Sequence, residues 1–203
     1  MSDPKLVVLT GGPGAGKTAV LEMLRRLVCA HVCILPEAAG VLFTGGFTRG
    51  SNMEQVKAAQ RAIYHVQREL ENIAIANDQF KTIVCDRGTL DGLAYWPNHD
   101  ESFFKELGIS REQELARYDK VIHLRTPTLK LGYNKQNPNR TETAEQASKI
   151  DERIVNAWSG HPNRHYVNNS HDFFEKAHVA LELVIKELPQ CCSERALLSE
   201  LAR

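Results

Sequence analysis

The chain has 203 residues, 42% of them hydrophobic, which is enough for one well-buried core. Lys plus Arg and Asp plus Glu both total 25, so the formal net charge is zero and nothing indicates nucleic acid as a partner. No apolar run approaches the roughly 18 residues of a membrane-spanning helix, so we expect a cytoplasmic protein without membrane insertion.

Strand-like and helix-like patterns alternate along the whole sequence. The short β-branched runs that predict strands lie at 5–10, 31–37, 81–86, 120–125 and 164–170. Apolar residues at spacings of three and four predict a long helix over 54–78 and a second over 173–188, with Asp172 as the N-cap of the latter. This alternation predicts an α/β fold with a five-stranded parallel sheet and helices on both faces.

A glycine-rich turn separates the first predicted strand from the first predicted helix. It reads G-G-P-G-A-G-K-T and satisfies the pattern G-x-x-x-x-G-K-S/T. Glycines allow consecutive backbone N–H groups to point into one concavity at a helix N-terminus, where a phosphate binds. The residues of this predicted nucleotide site are Gly11, Gly12, Pro13, Gly14, Ala15, Gly16, Lys17 and Thr18.

This motif also assigns the roles of two side chains and defines the domain. Lys17 is expected to reach the β- and γ-phosphates, and the Thr18 hydroxyl is expected to bind Mg²⁺. We therefore predict a P-loop NTPase fold over residues 1–189, with 190–203 as a tail or peripheral helix. The motif alone does not separate a kinase from a hydrolase.

Acidic and basic residues follow the next two predicted strands, at the sheet edge where such folds bind ligands. Glu37 suits a general base for an acceptor hydroxyl or an outer ligand of Mg²⁺, and a solvated loop carboxylate is the alternative. Asp86 ends a Walker B-like strand and is predicted to hold the metal. The guanidinium of Arg87, the next residue, could form a bidentate contact with a phosphate or an acceptor oxygen. The alternative is that Asp86 and Arg87 form a structural turn.

Three irregular segments, at 38–52, 95–110 and 126–140, are interpreted as mobile parts. The third, extended to about residue 142, is basic and is predicted to be a lid that supplies charge and excludes water, with a solvated loop as the alternative. Arg140 is its preferred catalytic residue, and Arg125 and Arg153, outside the segment, are weaker candidates.

Two further groups of polar residues have open interpretations. One is a polar stripe on the long helix, made of Gln60, Tyr64, Gln67 and Glu71, which either faces water or lines an acceptor pocket. The other contains Cys29, His31 and Cys33, which lack an obvious second pair of metal ligands and are interpreted as ordinary side chains. The five cysteines give no reason to expect disulfides.

Several stretches together resemble one family, the small P-loop ATPases of the AAA-28 type. They are LTGGPGAGKT, LPEAAGVLFTGGF, QRAIYHVQRELE, VCDRGTLDGLAYW, YDKVIHLRTP and NRTETAEQASKIDERIVNAW. The resemblance covers about residues 5–188. The family it indicates includes the ribosylnicotinamide kinase domain of the bacterial NAD regulator. More distantly, the chain is similar to deoxynucleoside and thymidylate kinases.

The resemblance implies roles that agree with those assigned from the residues. It implies Glu37 and Asp86 as an acidic pair, Arg87 toward the acceptor and Arg140 on the lid. Many relatives carry an arginine three residues after the glutamate, where this chain has Gly40. Arg49, in the following loop, could replace it.

The sequence thus predicts a Mg-ATP-binding protein that transfers the γ-phosphate to a hydroxyl of a nucleoside-like or other small acceptor. The alternative is a nucleotide-gated binding protein with slow ATPase or GTPase activity. No N/T-K-x-D motif for guanine is present, which favours ATP. The predicted partners are the nucleoside triphosphate and an unidentified acceptor, and a homodimer is left open.

Overall fold

The computed structural model describes residues 3–97, 99–127, 143–170 and 172–192. The strands are β1 (Lys5–Thr10), β2 (Val32–Leu35), β3 (Thr82–Asp86), β4 (Lys120–Leu124) and β5 (Arg164–Val167). The α-helices are α1 (Lys17–Leu27), α2 (Ala38–Thr44), α3 (Met53–Ile75), α4 (Asp100–Leu107), α5 (Arg111–Leu115), α6 (Ala144–Ala157) and α7 (Phe173–Ile185). A 3₁₀ helix, Thr89–Tyr95, follows β3.

The strands form one parallel sheet in the order β2-β3-β1-β4-β5. β1 is central, so that Leu9 pairs with Asp86 on one side and with Ile122 on the other. Because all strands run in the same direction, their carboxyl ends meet at one edge. The predicted α/β class and five-stranded parallel sheet are confirmed.

Helices cover both faces of the sheet, as predicted. The side chains of β1 alternate between two apolar cores, because successive residues of a strand point to opposite faces. Val7 and Leu9 belong to the core beneath α1 and α7, and Val8 belongs to the core beneath α3 and α6. Burial of each large apolar side chain stabilises the fold by about 1.5–3 kcal/mol.

Two segments that we predicted to be irregular contain helices. α2 occupies the first half of 38–52, and α4 lies within 95–110. α4 is too short to be stable on its own, and it forms because Phe103 is fully buried against Trp96, with ring centroids 5.2 Å apart. The prediction was wrong because this tertiary contact has no local signal.

The predicted N-cap of α7 is present, and α6 is capped in the same way. The Thr143 hydroxyl accepts a hydrogen bond from the N–H of Gln146 at 3.2 Å, and the Asp172 carboxylate accepts one from the N–H of Phe174 at 2.8 Å. Residues 128–142, with Arg140 and most of the predicted lid, lie outside the described residues, as do 193–203 of the predicted tail. Among the helices described, none has the length and apolarity needed to cross a membrane.

Candidate functional site

The glycine-rich turn joins the end of central strand β1 to the beginning of α1. Gly11 and Gly16 have positive φ angles of 139° and 99°. A Cβ atom on Gly11 would lie 2.1 Å from the carbonyl oxygen of Leu124, so only glycine fits there. α1 begins at Lys17, directly after the turn, and its free N–H groups therefore face the mouth of the loop.

Two buried side chains from distant helices hold this phosphate loop in place. Asp151 of α6 accepts a hydrogen bond from the N–H of Gly12 at 2.9 Å and contacts Nε2 of His123 at the same distance. Lys176 of α7 donates to the carbonyl oxygen of Ala15 at 2.8 Å. Burial lowers the pKa of Lys176 to about 8. Neither anchor is apparent from the sequence alone.

Lys17 lies inside the loop, and Thr18 lies at its rim. The Lys17 ammonium donates to the carbonyl oxygen of Gly11 at 2.9 Å. Burial and, after it, the nearby charge of Arg87 lower the pKa of Lys17 to about 8. A bound polyphosphate would favour the charged form again, because opposite charge raises the pKa of a lysine. Thr18 is exposed and lines the same cleft as Lys17.

Glu37 and Arg87 form an ion pair across the mouth of the sheet. Nε of Arg87 donates to Oε1 of Glu37 at 2.7 Å, and a second guanidinium nitrogen donates to the carbonyl oxygen of Gly11 at 3.1 Å. Desolvation favours a higher pKa for Glu37, but the charges of Arg87 and Lys17 outweigh it and hold that pKa below its usual value. Glu37 is therefore ionised at neutral pH.

The backbone of Arg87 is strained. Its φ angle is 71°, the left-handed region that costs a non-glycine residue about 1–2 kcal/mol. The side chain reaches back to the phosphate loop, where it bonds the carbonyl oxygen of Gly11, and its other bond is to Glu37. Strained backbone of this kind concentrates at functional sites.

Asp86 ends β3 and lines the cleft beside these charges. Its Oδ1 atom is buried and has no hydrogen-bond partner among the residues that the structure describes. Desolvation raises the pKa of Asp86 even though Lys17 and Arg87 oppose the shift. A buried carboxylate oxygen without a partner, with the Thr18 hydroxyl lining the same cleft, fits the oxygen ligands that Mg²⁺ prefers.

These residues surround a cleft of about 780 Å³, which is large enough for a nucleotide-sized ligand. Gln60, Tyr64 and Gln67 of α3 line its wall and are buried, so this part of the polar stripe does not face bulk water. Glu71 is fully buried away from the cleft and accepts hydrogen bonds from Gln67 and Tyr118 at 2.8 Å. The stripe is thus part cleft wall and part buried polar network.

Arg49 lies at the outer wall of the cleft. Its guanidinium lies 4.3 Å from the centroid of the Phe43 ring, and its charge helps to lower the pKa of Glu37. A Cβ on Gly40 would be 3.8 Å from Oε2 of Glu37, so an arginine at that position would start beside the same carboxylate. Arg49 therefore brings a guanidinium charge to the carboxylate beside which Gly40 lies.

The structure brings together Lys17, Glu37, Asp86 and Arg87, but it gives Arg125 another role. Nε of Arg125 pairs with Oδ2 of Asp151 at 3.1 Å, within the support of the phosphate loop. Arg140 lies outside the described residues, so its predicted role stays a prediction.

The fold and the loop define a P-loop nucleotide-binding protein with a kinase-like fold. The chain belongs to the AAA-28 family, described as an AAA domain, whose model matches residues 6–176. It is also similar to the solved structure of thymidylate kinase from Candida albicans, with a TM-score of 0.63, 18% identity, and coverage of 92% of this chain and 93% of that chain. At this identity the similarity shows the fold. No curated protein matches the sequence.

Proposed function

We propose that this protein is a Mg²⁺-dependent kinase that transfers the γ-phosphate of ATP to a hydroxyl of a nucleoside-like or other small acceptor. The observation that carries the proposal is the Glu37–Arg87 pair, which lies between the phosphate loop and the cleft wall formed by α3. Besides the nucleotide, a hydrolase needs room only for one water molecule. This cleft extends from the phosphate loop to α3 and so offers room for an acceptor. The fold shared with thymidylate kinase supports the same assignment.

Each residue of the site has a role in this reaction. Lys17 neutralises the β- and γ-phosphates, and Thr18 and Asp86 would hold Mg²⁺. When bound, Mg²⁺ supplies positive charge against the phosphate oxygens. Arg140 is proposed to add charge from the lid.

Glu37 is proposed to act as the base for the acceptor. Its carboxylate takes the proton of the acceptor hydroxyl while that oxygen forms a bond to the γ-phosphorus. The bond from the γ-phosphorus to the oxygen of the leaving ADP breaks, and the proton later passes to solvent. Arg87 orients the carboxylate and keeps it ionised. Most of the rate enhancement then comes from positioning and charge.

The same ion pair favours a second candidate, a nucleotide-gated binding protein with slow ATP or GTP hydrolysis. Arg87 occupies Oε1 of Glu37, so Oε2 alone is left to act on an acceptor hydroxyl. A protein that only binds nucleotide and a partner would use Glu37 as a structural ion-pair partner and would need no base.

The test is ATP consumption with Mg²⁺, alone and with a panel of nucleosides, vitamins, sugars and polyols, with products followed by mass spectrometry. A kinase gives one phosphorylated product in step with ADP. Glu37→Gln is expected to bind ATP normally and to lose about 10²–10⁴-fold in transfer rate. The matched control is Glu22→Gln, an exposed carboxylate of α1 that pairs with Arg25. Slow hydrolysis that no acceptor stimulates would favour the second candidate.

A further inference from the structure

Sulfur and nitrogen ligands from two distant parts of the chain meet at the end of α1 that lies away from the phosphate loop. Cys29 and His31 lie between α1 and β2, and Cys191 and Cys192 follow α7. No second ligand pair for Cys29 and His31 is apparent in the sequence, and the fold supplies one. Cys33 belongs to β2 and packs against the apolar core instead.

The three cysteine sulfur atoms are close enough to share one ion, and His31 lies beside two of them. The His31 ring must move closer to the Cys192 sulfur to become the fourth ligand. The three sulfur atoms lie within 4.8 Å of one another, and the Cys29 and Cys191 sulfurs are 3.5 Å apart. Nδ1 of His31 lies 3.4 Å from each of these two sulfurs. In a tetrahedral zinc site, bond lengths of about 2.3 Å to sulfur and about 2.0 Å to nitrogen place ligand atoms about 3.5–3.8 Å apart. The Cys29 and Cys192 sulfurs, 2.6 Å apart, need to separate by about 1 Å.

We propose that Cys29, His31, Cys191 and Cys192 form a structural site for Zn²⁺. Three thiolates and one imidazole are a common closed, four-ligand zinc set, and sulfur ligands disfavour Mg²⁺ and Ca²⁺. Binding leaves the zinc ion with three thiolates and releases to solvent the protons that the three thiols still carry, with no change of oxidation state. All three cysteines are free thiols in the structure.

The surroundings of the cluster suit a metal site that holds two elements together. The backbone N–H of Cys29 points at the Cys192 sulfur at 3.1 Å, which is the kind of outer contact that orients a thiolate ligand. Cys192 is buried in the core shared by α1 and α7, whereas His31 and Cys191 are exposed and leave a path for the ion. The site would therefore fasten the segment after α7 to the loop after α1.

This site is separate from the nucleotide cleft. α1 spans Lys17–Leu27, which at 1.5 Å per residue is about 16 Å of helix between the phosphate loop and the cysteines. With four protein ligands, the ion has no open position for a substrate. Its contribution is to the stability of the α1–α7 pair.

The test is metal analysis of the full chain, purified without a tag and kept reduced with a non-chelating phosphine. We expect about one Zn²⁺ per chain. Replacement of Zn²⁺ by Co²⁺ should give the thiolate-to-cobalt absorption that an oxygen site for Mg²⁺ cannot give. Cys191→Ser and His31→Ala change exposed residues, so both variants should fold.

Those two variants should bind Zn²⁺ at least about 100-fold more weakly than wild type. Loss of a residue that only contacts a ligand typically weakens metal binding by about 10–100-fold. Cys33→Ser is the matched control and should keep the full affinity, because Cys33 lies outside the cluster. Unchanged zinc affinity in Cys191→Ser would overturn the proposal. So would a reduced wild-type chain that binds no zinc, or peptide mapping that finds Cys29 and Cys192 joined as a disulfide in the protein as isolated from cells.

Discussion

Asp151 connects α6 to the phosphate loop, because its Oδ1 atom accepts a hydrogen bond from the N–H of Gly12 at 2.9 Å. The same carboxylate contacts His123 and Arg125, and desolvation of the group is outweighed by these contacts, so that its pKa lies below its usual value. The carboxylate is therefore charged, buried and fully partnered. Its removal would leave several buried polar groups without a partner.

Asp151→Ala is expected to lower the free energy of unfolding by about 3 kcal/mol, because it breaks a buried polar network on one side. Urea denaturation followed by circular dichroism measures the change. Glu152→Ala is the matched control, since the neighbouring carboxylate is 58% exposed and its loss should cost less than about 0.5 kcal/mol. Equal losses in the two variants would contradict the anchoring role of Asp151.

The strain at Arg87 predicts an unusual order of stability among its variants. Arg87→Ala and Arg87→Gly both lose the ion pair with Glu37, but only alanine keeps the penalty of a φ angle of 71°. After the greater flexibility of unfolded glycine is subtracted, the glycine variant should be more stable than the alanine variant by about 0.5–1 kcal/mol. Urea denaturation of the alanine and glycine variants tests this order. A less stable glycine variant would show that the backbone of Arg87 is not strained.

Nucleotide affinity should fall as the pH rises above about 8. Burial lowers the pKa of Lys17 to about 8, so the free protein loses this ammonium charge as the pH passes through that value. Triphosphate binds the charged form, so binding above this pH requires proton uptake, and the Kd should rise by up to about tenfold per pH unit. Calorimetric titration with a non-hydrolysable ATP analogue and Mg²⁺, between about pH 7 and pH 9.5, measures it.

A control is needed because Lys176, whose pKa is also lowered to about 8, touches the same loop. Lys17→Ala should bind the analogue weakly and with little pH dependence over this range. If the variant keeps the wild-type slope, the titrating group is Lys176 and the assignment to Lys17 is wrong.

Asp86→Asn should weaken the Mg²⁺-dependent activity and raise the stability of the folded protein. Desolvation raises the pKa of Asp86, so its charged form destabilises the folded protein, and the wild-type protein gains stability from this group as the pH falls through the raised pKa. The neutral amide removes that cost and should raise stability at neutral pH by about 1 kcal/mol. Thermal unfolding and a Mg²⁺ titration of ATP turnover measure the two effects.

The same variant should need at least about tenfold more Mg²⁺ for turnover, because a carboxylate ligand is lost. Asp78→Asn, in the exposed turn before β3, is the control and should change neither quantity. An Asp86→Asn protein with the Mg²⁺ dependence of wild type would exclude Asp86 from the metal site.

The cleft residues Lys17, Glu37, Asp86 and Arg87 could be predicted because each lies at the end of a strand or in the segment after it, and parallel strands bring such positions to one edge. The anchors of the loop could not be predicted in the same way. Asp151 lies 139 residues from the Gly12 that it holds. Asp151 lies in the buried stripe of α6, and this position predicts that its side chain is buried. It does not predict that Gly12 is the partner.

The cysteine cluster and α4 escaped prediction for the same reason. Cys29 and Cys192 are 163 residues apart in sequence, and only the packing of α7 on α1 brings them together. α4 depends on the burial of Phe103. In both cases, the residues are visible in the sequence, but the contact between them forms only when distant segments pack together.

The distance between Ala15 and Lys176 along the chain also bears on synthesis of the protein. The phosphate loop leaves the ribosome first, but the side chain that holds it follows 161 residues later. At roughly 5–20 residues per second, the unfinished loop waits about 8–32 s. Over much of this interval the apolar strand β1 lacks its neighbours β3 and β4, so apolar surface that the finished fold buries is exposed before the loop can hold a nucleotide.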